Sequence, residues 1–393
     1  MFFKKCTSLF FRCNVVLDGN QSLLMASIRG GAVILVLIAH TQQIMISPYW
    51  NPYKDRGLIE TMYSSIGSYG VMLFFVLSGF FIFLSIQNNI KKNNYKSFDL
   101  ISFAKSRLAR LYPPLIMSLV FVVILYYILD FLDLKNASQF STGNEIYLAR
   151  KELNLSFPDI FGSMFYLNGI IQEIKTPTLN GPLWSLAHEF WFYVVGGALV
   201  ASIYKKSLIT FFLVVILFLY WNATKYWFWG FYVWLAGAGS ALIYANLKNK
   251  SALIMGIVLP LLLGFTWFYM VIHSADSPWM NDRQQYFFGY FFASILPLIL
   301  RKNYTYKGLI IIQMVKWLAG ISKYAYTLYL LHFPITLFTF ILMNKIVQQY
   351  NLLFIFEAIL TMFFTVKLSR IIGLRLESTA NKKIVRYVNK LTE

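Results

Sequence analysis

Three histidines, one glutamate and three arginines stand where they could do chemistry. Arg29 opens an apolar run, Arg29-Gly30-Gly31 through Ala39-His40. His40 lies about 16 Å further along a helix rising 1.5 Å per residue. A neutral imidazole at that depth could take the proton of a hydroxyl, or attack an activated carbonyl itself. His332 lies inside a second run, Ser322 to Pro334, two residues before the proline. Pro334 lacks an N–H and so frees a carbonyl one turn back. A third run opens with Trp184-Ser185-Leu186-Ala187-His188-Glu189. Helical spacing lets Trp184, Ser185 and His188 share a face and sets Ser185 one turn from Glu189. A carboxylate near a histidine can orient it and stabilise its protonated form. Arg107 and Arg110 are three apart, on one helix face, and a guanidinium pair grips phosphate oxygens with paired N–H forks.

Each feature also has a plainer reading. A histidine can be a hydrogen-bonded core residue, or can pin the Pro334 kink. Glu189 can bridge two helices, and the arginine pair can anchor the chain to anionic lipid. The solvent weighs on this choice. In lipid an ionisable side chain is costly and usually marks a site or pathway. For the arginine pair, charge alone leaves both readings open. Ser78, in Phe74-Phe75-Val76-Leu77-Ser78-Gly79-Phe80, reads as packing: a Ser-Gly pair lets helices approach closely, and no Gly-x-Ser-x-Gly elbow surrounds it.

Composition supplies that solvent. Of 393 residues, 58% are hydrophobic, 19% aromatic and only 13% charged. A soluble domain carries about twice that charged share. The net charge of +19 lies in short stretches between apolar runs, which is how membrane topology is encoded, and not the footprint of a nucleic-acid binder. Cys6 and Cys13 are the two cysteines, so there is no disulfide framework and no Cys/His cluster with zinc spacing. No metal is expected. The N-terminal stretch lacks the long apolar core and small-residue site of a cleaved signal peptide.

The elements that must hold these residues are membrane helices of about 20 apolar residues each. Ten runs qualify: 30–47, 69–86, 112–131, 182–203, 207–222, 226–245, 252–272, 285–300, 322–343 and 352–372. With both termini cytoplasmic and every run crossing, 26 of the 35 Lys and Arg fall inside, as the positive-inside rule requires. The expected fold is therefore all-α, a polytopic bundle of about ten spans. It divides into a cytoplasmic segment 1–28, a membrane domain 29–377 and a cytoplasmic tail 378–393. The longest external connection, 132–181, holds an apolar stretch from Phe157 to Ile171 that reads as an interfacial or re-entrant helix.

Together these segments resemble the acyltransferase family 3 membrane proteins, which O-acylate cell-surface glycans and related acceptors. The resemblance runs from Arg29 to about Glu377. It rests on Arg29 with ten residues before His40, the Phe74–Phe80 segment, Arg107-x-x-Arg110, Trp184 through Phe190, and Ser322 through Tyr329-Leu-Leu-His332-Phe-Pro334. It implies an acyl-CoA donor, usually acetyl-CoA, used from the cytoplasm, and a hydroxyl acceptor on a lipid-linked or surface saccharide. It also implies His40 as base or acyl relay in a motif with Arg29, and it maps its arginine pair onto Arg107 and Arg110. On the reading of the residues themselves, Arg29 and Glu189 join His40 in catalysis, Arg29, Arg107 and Arg110 hold donor phosphates, and Trp184, Ser185, His188, Tyr329 and His332 bind or orient substrate. Partners are membrane lipid, acyl-CoA and saccharide, in the inner (plasma) membrane, with oligomeric state open. One departure is Ala26, where family members commonly carry Asp three residues before the motif arginine. The rival reading is a transporter or flippase for a glycan precursor, with its histidines as a proton relay. No pair of broken helices in matched halves supports it.

Overall fold

The computed structural model describes residues 16–46, 58–134, 153–205, 225–246, 250–274, 278–301, 309–347 and 353–377, with the isolated positions 212 and 214. Among the described residues the fold is all-α; extended backbone pairs only at a single bridge, Asn168 with Ile171. The helices are α1 (Gly19–Thr41), α2 (Leu58–Lys92), α3 (Leu100–Phe131), α4 (Phe157–Met164), α5 (Leu183–Lys205), α6 (Lys225–Asn246), α7 (Lys250–Ile272), α8 (Pro278–Arg301), α9 (Leu309–Ile321), α10 (Ala325–Val347) and α11 (Leu353–Leu376). A wide π-turn, Gln42–Ile46, continues α1, and a tight 3-10 turn, Ser322–Tyr324, joins α9 to α10.

Among the described residues, six helical stretches are long and apolar enough to cross a membrane: Gly19–Ile46, Ser65–Lys92, Leu100–Phe131, Leu183–Tyr204, Phe228–Asn246 and Ile310–Met343. The chain is a multi-pass membrane protein. These six overlap six of the ten expected runs, and those at Gly19, Leu100 and Ile310 begin eleven or twelve residues before them. The run at 252–272 contributes a shorter apolar helix, Gly256–Ile272. The runs at 285–300 and 352–372 are helical, within α8 and α11, but more polar. The first half of α8 carries Asn281, Asp282, Arg283, Gln284 and Gln285, and α11 carries Glu357, Lys367, Arg370 and Arg375. The run at 207–222 lies outside the described residues apart from 212 and 214, as do both cysteines and the tail 378–393.

The chain divides into two compact units, each drawn from three separate stretches of sequence. The first comprises Met1–Met25, Met72–Ala109 and His188–Gln313. Within it α2 and α6 cross reciprocally. A Cβ on Gly79 would lie 1.9 Å from the Trp234 carbonyl oxygen, and a Cβ on Gly237 would lie 2.1 Å from that of Val76. Each helix thus presents a glycine to the other's backbone, as small residues allow in membranes. Aromatic rings fill the flanks: Phe75 meets Phe192 edge-on at 5.4 Å, and Phe231 stacks on Trp234 at 5.7 Å.

The second unit comprises Ala26–Val71, Arg110–Ala187 and Met314–Glu393. Val122, Leu125 and Leu129 of α3 pack there with Phe333, Leu337, Phe340 and Ile341 of α10 and Ala358 of α11. Gly30 brings α1 against α9, where an added Cβ would lie 1.9 Å from the Leu318 carbonyl oxygen. On α11 the buried face is the polar one, with Glu357, Thr361, Thr365, Ser369 and Gly373, while Phe356, Ile359, Leu360, Phe363 and Phe364 are exposed. That inversion suits a helix whose outer face meets lipid. The stretch from Phe157 contributes the short helix α4, capped by the Ser156 hydroxyl on the Asp159 N–H and carrying Pro158 in its first turn. Phe157, Phe161 and Phe165 form an exposed aromatic row along it.

Candidate active site

The second unit brings two of the sequence's histidines together. His40 lies in the last turn of α1 and His332 in α10, with ring centroids 5.2 Å apart and planes tilted by 31°. Phe333 closes on His40 edge-on, also at 5.2 Å. The Nδ1 of His40 is 3.1 Å from the Gln43 side-chain oxygen, so Nδ1 carries the hydrogen and donates it. Nε2 is left as the basic nitrogen. Gln43, three residues on and within the π-turn, lies on the same side as His40. His332 is fully buried, and its Nδ1 lies 2.5 Å from the Tyr329 carbonyl oxygen. A carbonyl only accepts, so this Nδ1 is protonated as well.

The freed carbonyl at Pro334 is accounted for. Leu330 O accepts from Ser118 Oγ at 3.1 Å and from Asn180 Nδ2 at 3.0 Å. Asn180 and Ser118 are both fully buried, and Asn180 Nδ2 also lies 3.2 Å from Ser118 Oγ. Next to Leu330 in the chain, the Tyr329 hydroxyl is 2.6 Å from Ser185 Oγ and donates to Pro182 O at 3.4 Å. The segment leading into α5 is thereby fixed to α10 beside His332. Trp184, the neighbour of Ser185, is exposed.

Arg29 and Arg110 belong to the same unit and share a buried carboxylate. Glu377 is 3% exposed, and one of its oxygens accepts from the Thr327 N–H at 2.8 Å and the Thr327 hydroxyl at 2.7 Å. It therefore caps the first turn of α10 from 50 positions away. Burial raises the Glu377 carboxyl above the ordinary range, while the Thr327 hydrogen bonds and the charges of Arg29 and Arg110 pull it back down. Removing the acceptor strands a buried N–H and a buried hydroxyl. Glu377→Ala is expected to destabilise the protein by about 1–3 kcal/mol. Glu377→Gln keeps an accepting oxygen, and thermal unfolding in detergent should place it well above the Ala variant.

The remaining residues lie in the first unit. Glu189 accepts from the Tyr193 hydroxyl one turn on. The Tyr193 oxygen is 2.9 Å from Ser78 Oγ, which also accepts from Trp234 Nε1 at 3.3 Å. Ser78 is therefore more than packing: beside Gly79 at the crossing, it links Trp234 to the Tyr193–Glu189 pair. His188 is buried, with Phe192 edge-on at 6.4 Å. Arg107 donates to Ser85 Oγ, and its guanidinium lies 5.5 Å from the Phe103 ring centroid.

Sequence reasoning did not single out Gln43, Asn180, Ser118 or Glu377 as site residues. Gln43 had a local signal, a side-chain amide one turn past His40. The others reach the site through the tertiary fold. Among the described residues, no group of three or more His, Cys, Asp or Glu is arranged to hold a metal ion.

No curated protein and no solved structure matches this chain. A family model described as an acyltransferase domain, of the acyltransferase 3 type, matches residues 26–372. That span holds Arg29, His40, Arg107, Arg110, Trp184, Ser185, His188, Glu189, Tyr329 and His332, and it covers nearly the whole chain. The chain belongs to the acyltransferase 3 family, and its chemistry is acyl transfer by a multi-pass membrane protein.

Proposed function

We propose that this protein transfers an acetyl group from cytoplasmic acetyl-CoA to a hydroxyl of a lipid-linked or surface saccharide, in the inner (plasma) membrane. The observation that carries the reading is His40, whose Gln43 bond leaves Nε2 as the basic nitrogen within a helix long enough to span. In this role His40 takes the proton of the acceptor hydroxyl, or accepts the acyl group first. Arg29, Arg107 and Arg110 hold the donor's phosphates. Glu189, positioned by Tyr193, stabilises charge, and Trp184, Ser185, His188 and Tyr329 orient the acceptor.

The direct test is label transfer. Purified protein in detergent should move labelled acetyl from acetyl-CoA to extracted glycolipid. A protein that carries the glycolipid across a vesicle membrane and leaves acetyl-CoA intact would be the flippase instead.

The arginine pair has its own test. Lys at both Arg107 and Arg110 keeps the inside charge, so insertion should be normal. The paired fork geometry is lost, and the half-maximal acetyl-CoA concentration should rise roughly tenfold or more. A donor titration that overlays the wild type would return the pair to lipid anchoring.

The reading also needs a topology that puts Arg29 and the arginine pair on the donor side. We propose ten spans with both termini cytoplasmic. Reporters fused after Ser141 and Ala275 are then expected to read outside, and those after Lys248 and Lys302 inside. An outside signal at Lys248 would sink the ten-span arrangement.

A further inference from the structure

We propose that His332 is the proton-sharing partner of His40: its Nε2 lone pair receives the N–H that His40 gains on deprotonating the acceptor hydroxyl. This rests on the acyl-transfer reading above and assigns His332 a positioning role that acts through His40.

The first observation is the tautomer. His332 Nδ1 faces the Tyr329 carbonyl at 2.5 Å and must carry the hydrogen. In the neutral ring Nε2 is then an acceptor and nothing else. The second is that this acceptor is unmet: His332 Nε2 is buried with no hydrogen-bond partner among the described residues. Buried polar atoms without partners are few in native proteins, and each asks for a reason. The third is the neighbour. The imidazole 5.2 Å away is His40, which the Gln43 bond holds in the same Nδ1–H form. Two neutral rings, each with a bare Nε2, have no hydrogen to offer one another. One added proton changes that at once.

The reaction supplies such a proton. The acceptor O–H bond breaks, and the proton goes to His40 Nε2. The oxygen attacks the thioester carbonyl and forms the new C–O bond. The C–S bond breaks, and the thiolate leaves with the electron pair. While His40 is cationic, its Nε2–H is shared with His332 Nε2. The same proton then passes to the thiolate, and both rings return to the starting tautomer. An ion in a low-dielectric site gains more from such a bond than it would in water. The unmet acceptor therefore stabilises the charged intermediate selectively, because it has nothing to bond beforehand.

Two isosteric substitutions separate this role from a structural one. His332→Asn places an amide N–H near Nδ1 and nothing at Nε2. His332→Gln places an amide at Nε2 and gives up the bond to Tyr329. With labelled acetyl-CoA and a total glycolipid extract as acceptor, the Asn variant should lose roughly tenfold to hundredfold in kcat, the range of one charge-assisted hydrogen bond. Its KM for acetyl-CoA should be unchanged, and the Gln variant should recover part of the loss. If His332 only pins α10 through Nδ1, the order reverses, with Asn near wild type and Gln impaired; that result would overturn the proposal.

Ring nitrogen-15 spectra of the wild-type protein in micelles give a second reading that needs no variant of His332 to fold. The chain has four histidines, so single substitutions at the other three leave the His332 signals identified. The proposal requires the Nδ1–H tautomer at His332 and a shift of its Nε2 signal on His40→Ala. An Nε2–H tautomer, or no response to His40→Ala, would refute it. A wild-type protein with that spectrum but no transfer to any glycolipid would count against the acyl-transfer reading and leave the histidine pair standing.

Discussion

His40→Ala is expected to lower acyl transfer by roughly a hundredfold to ten-thousandfold, the range that a general base contributes. The variant should still insert and accumulate. Removing an ionisable side chain from a membrane span eases insertion, and the amide left behind, on Gln43, is exposed. The His332 bond to Tyr329 lies within α10 and does not depend on His40. The measurement is the rate of acetyl transfer from labelled acetyl-CoA, normalised to protein recovered in the membrane fraction. A rate within a fewfold of wild type would remove His40 from the mechanism, whatever its neighbours.

The second large effect concerns assembly. Gly79→Ala puts a methyl group where the Trp234 carbonyl oxygen stands, 1.9 Å away. That neighbour is backbone and cannot swing aside as a flexible side chain would. The α2–α6 crossing must open. Overpacking of this kind costs about 1–3 kcal/mol, occasionally more. Gly237→Ala meets the Val76 carbonyl oxygen at 2.1 Å and should do comparable harm. Because both glycines serve one crossing, the double variant should be less destabilised than the sum, since either substitution alone already forces the helices apart. Thermal unfolding in detergent would show this. Strict additivity would mean that the two contacts fail independently, against a reciprocal crossing.

What the sequence made legible follows from which forces are local. Apolar length is local, so the runs that hold His40, Ser78, Glu189 and His332 all emerge within helices, although the helices of His40 and Ser78 begin well before the apolar runs do. Position along a helix is local too, and it placed His40 and His332 well inside their runs. Which faces then meet is not local. Nothing between residues 40 and 332 says that these two rings should stand 5.2 Å apart.

The arginine pair shows the same limit. Spacing of three puts Arg107 and Arg110 about 60° apart around a helix. Yet Arg107 bonds Ser85, while Arg110 lies near Glu377. Glu377 was invisible as a site residue, because its partner Thr327 is a backbone N–H and a hydroxyl with no motif of their own. Ser78 was half legible. Its glycine neighbour announced a close approach, but the hydroxyl's tie to Tyr193 depends on how α2 meets α5.

The carbonyl of Leu330 constrains how this sequence can drift. Pro334 leaves that oxygen without its helical partner, and Asn180 and Ser118, from two distant segments, supply the missing donors. Asn180→Ala alone strips one donor from a buried acceptor. If Pro334→Ala comes first, residue 334 regains an N–H and can bond Leu330 O within the helix, so Asn180 becomes dispensable there. The two changes are therefore tolerated in one order and resisted in the other. A descendant of this chain can escape the arrangement through its proline, and an asparagine lost before that proline should be found rarely.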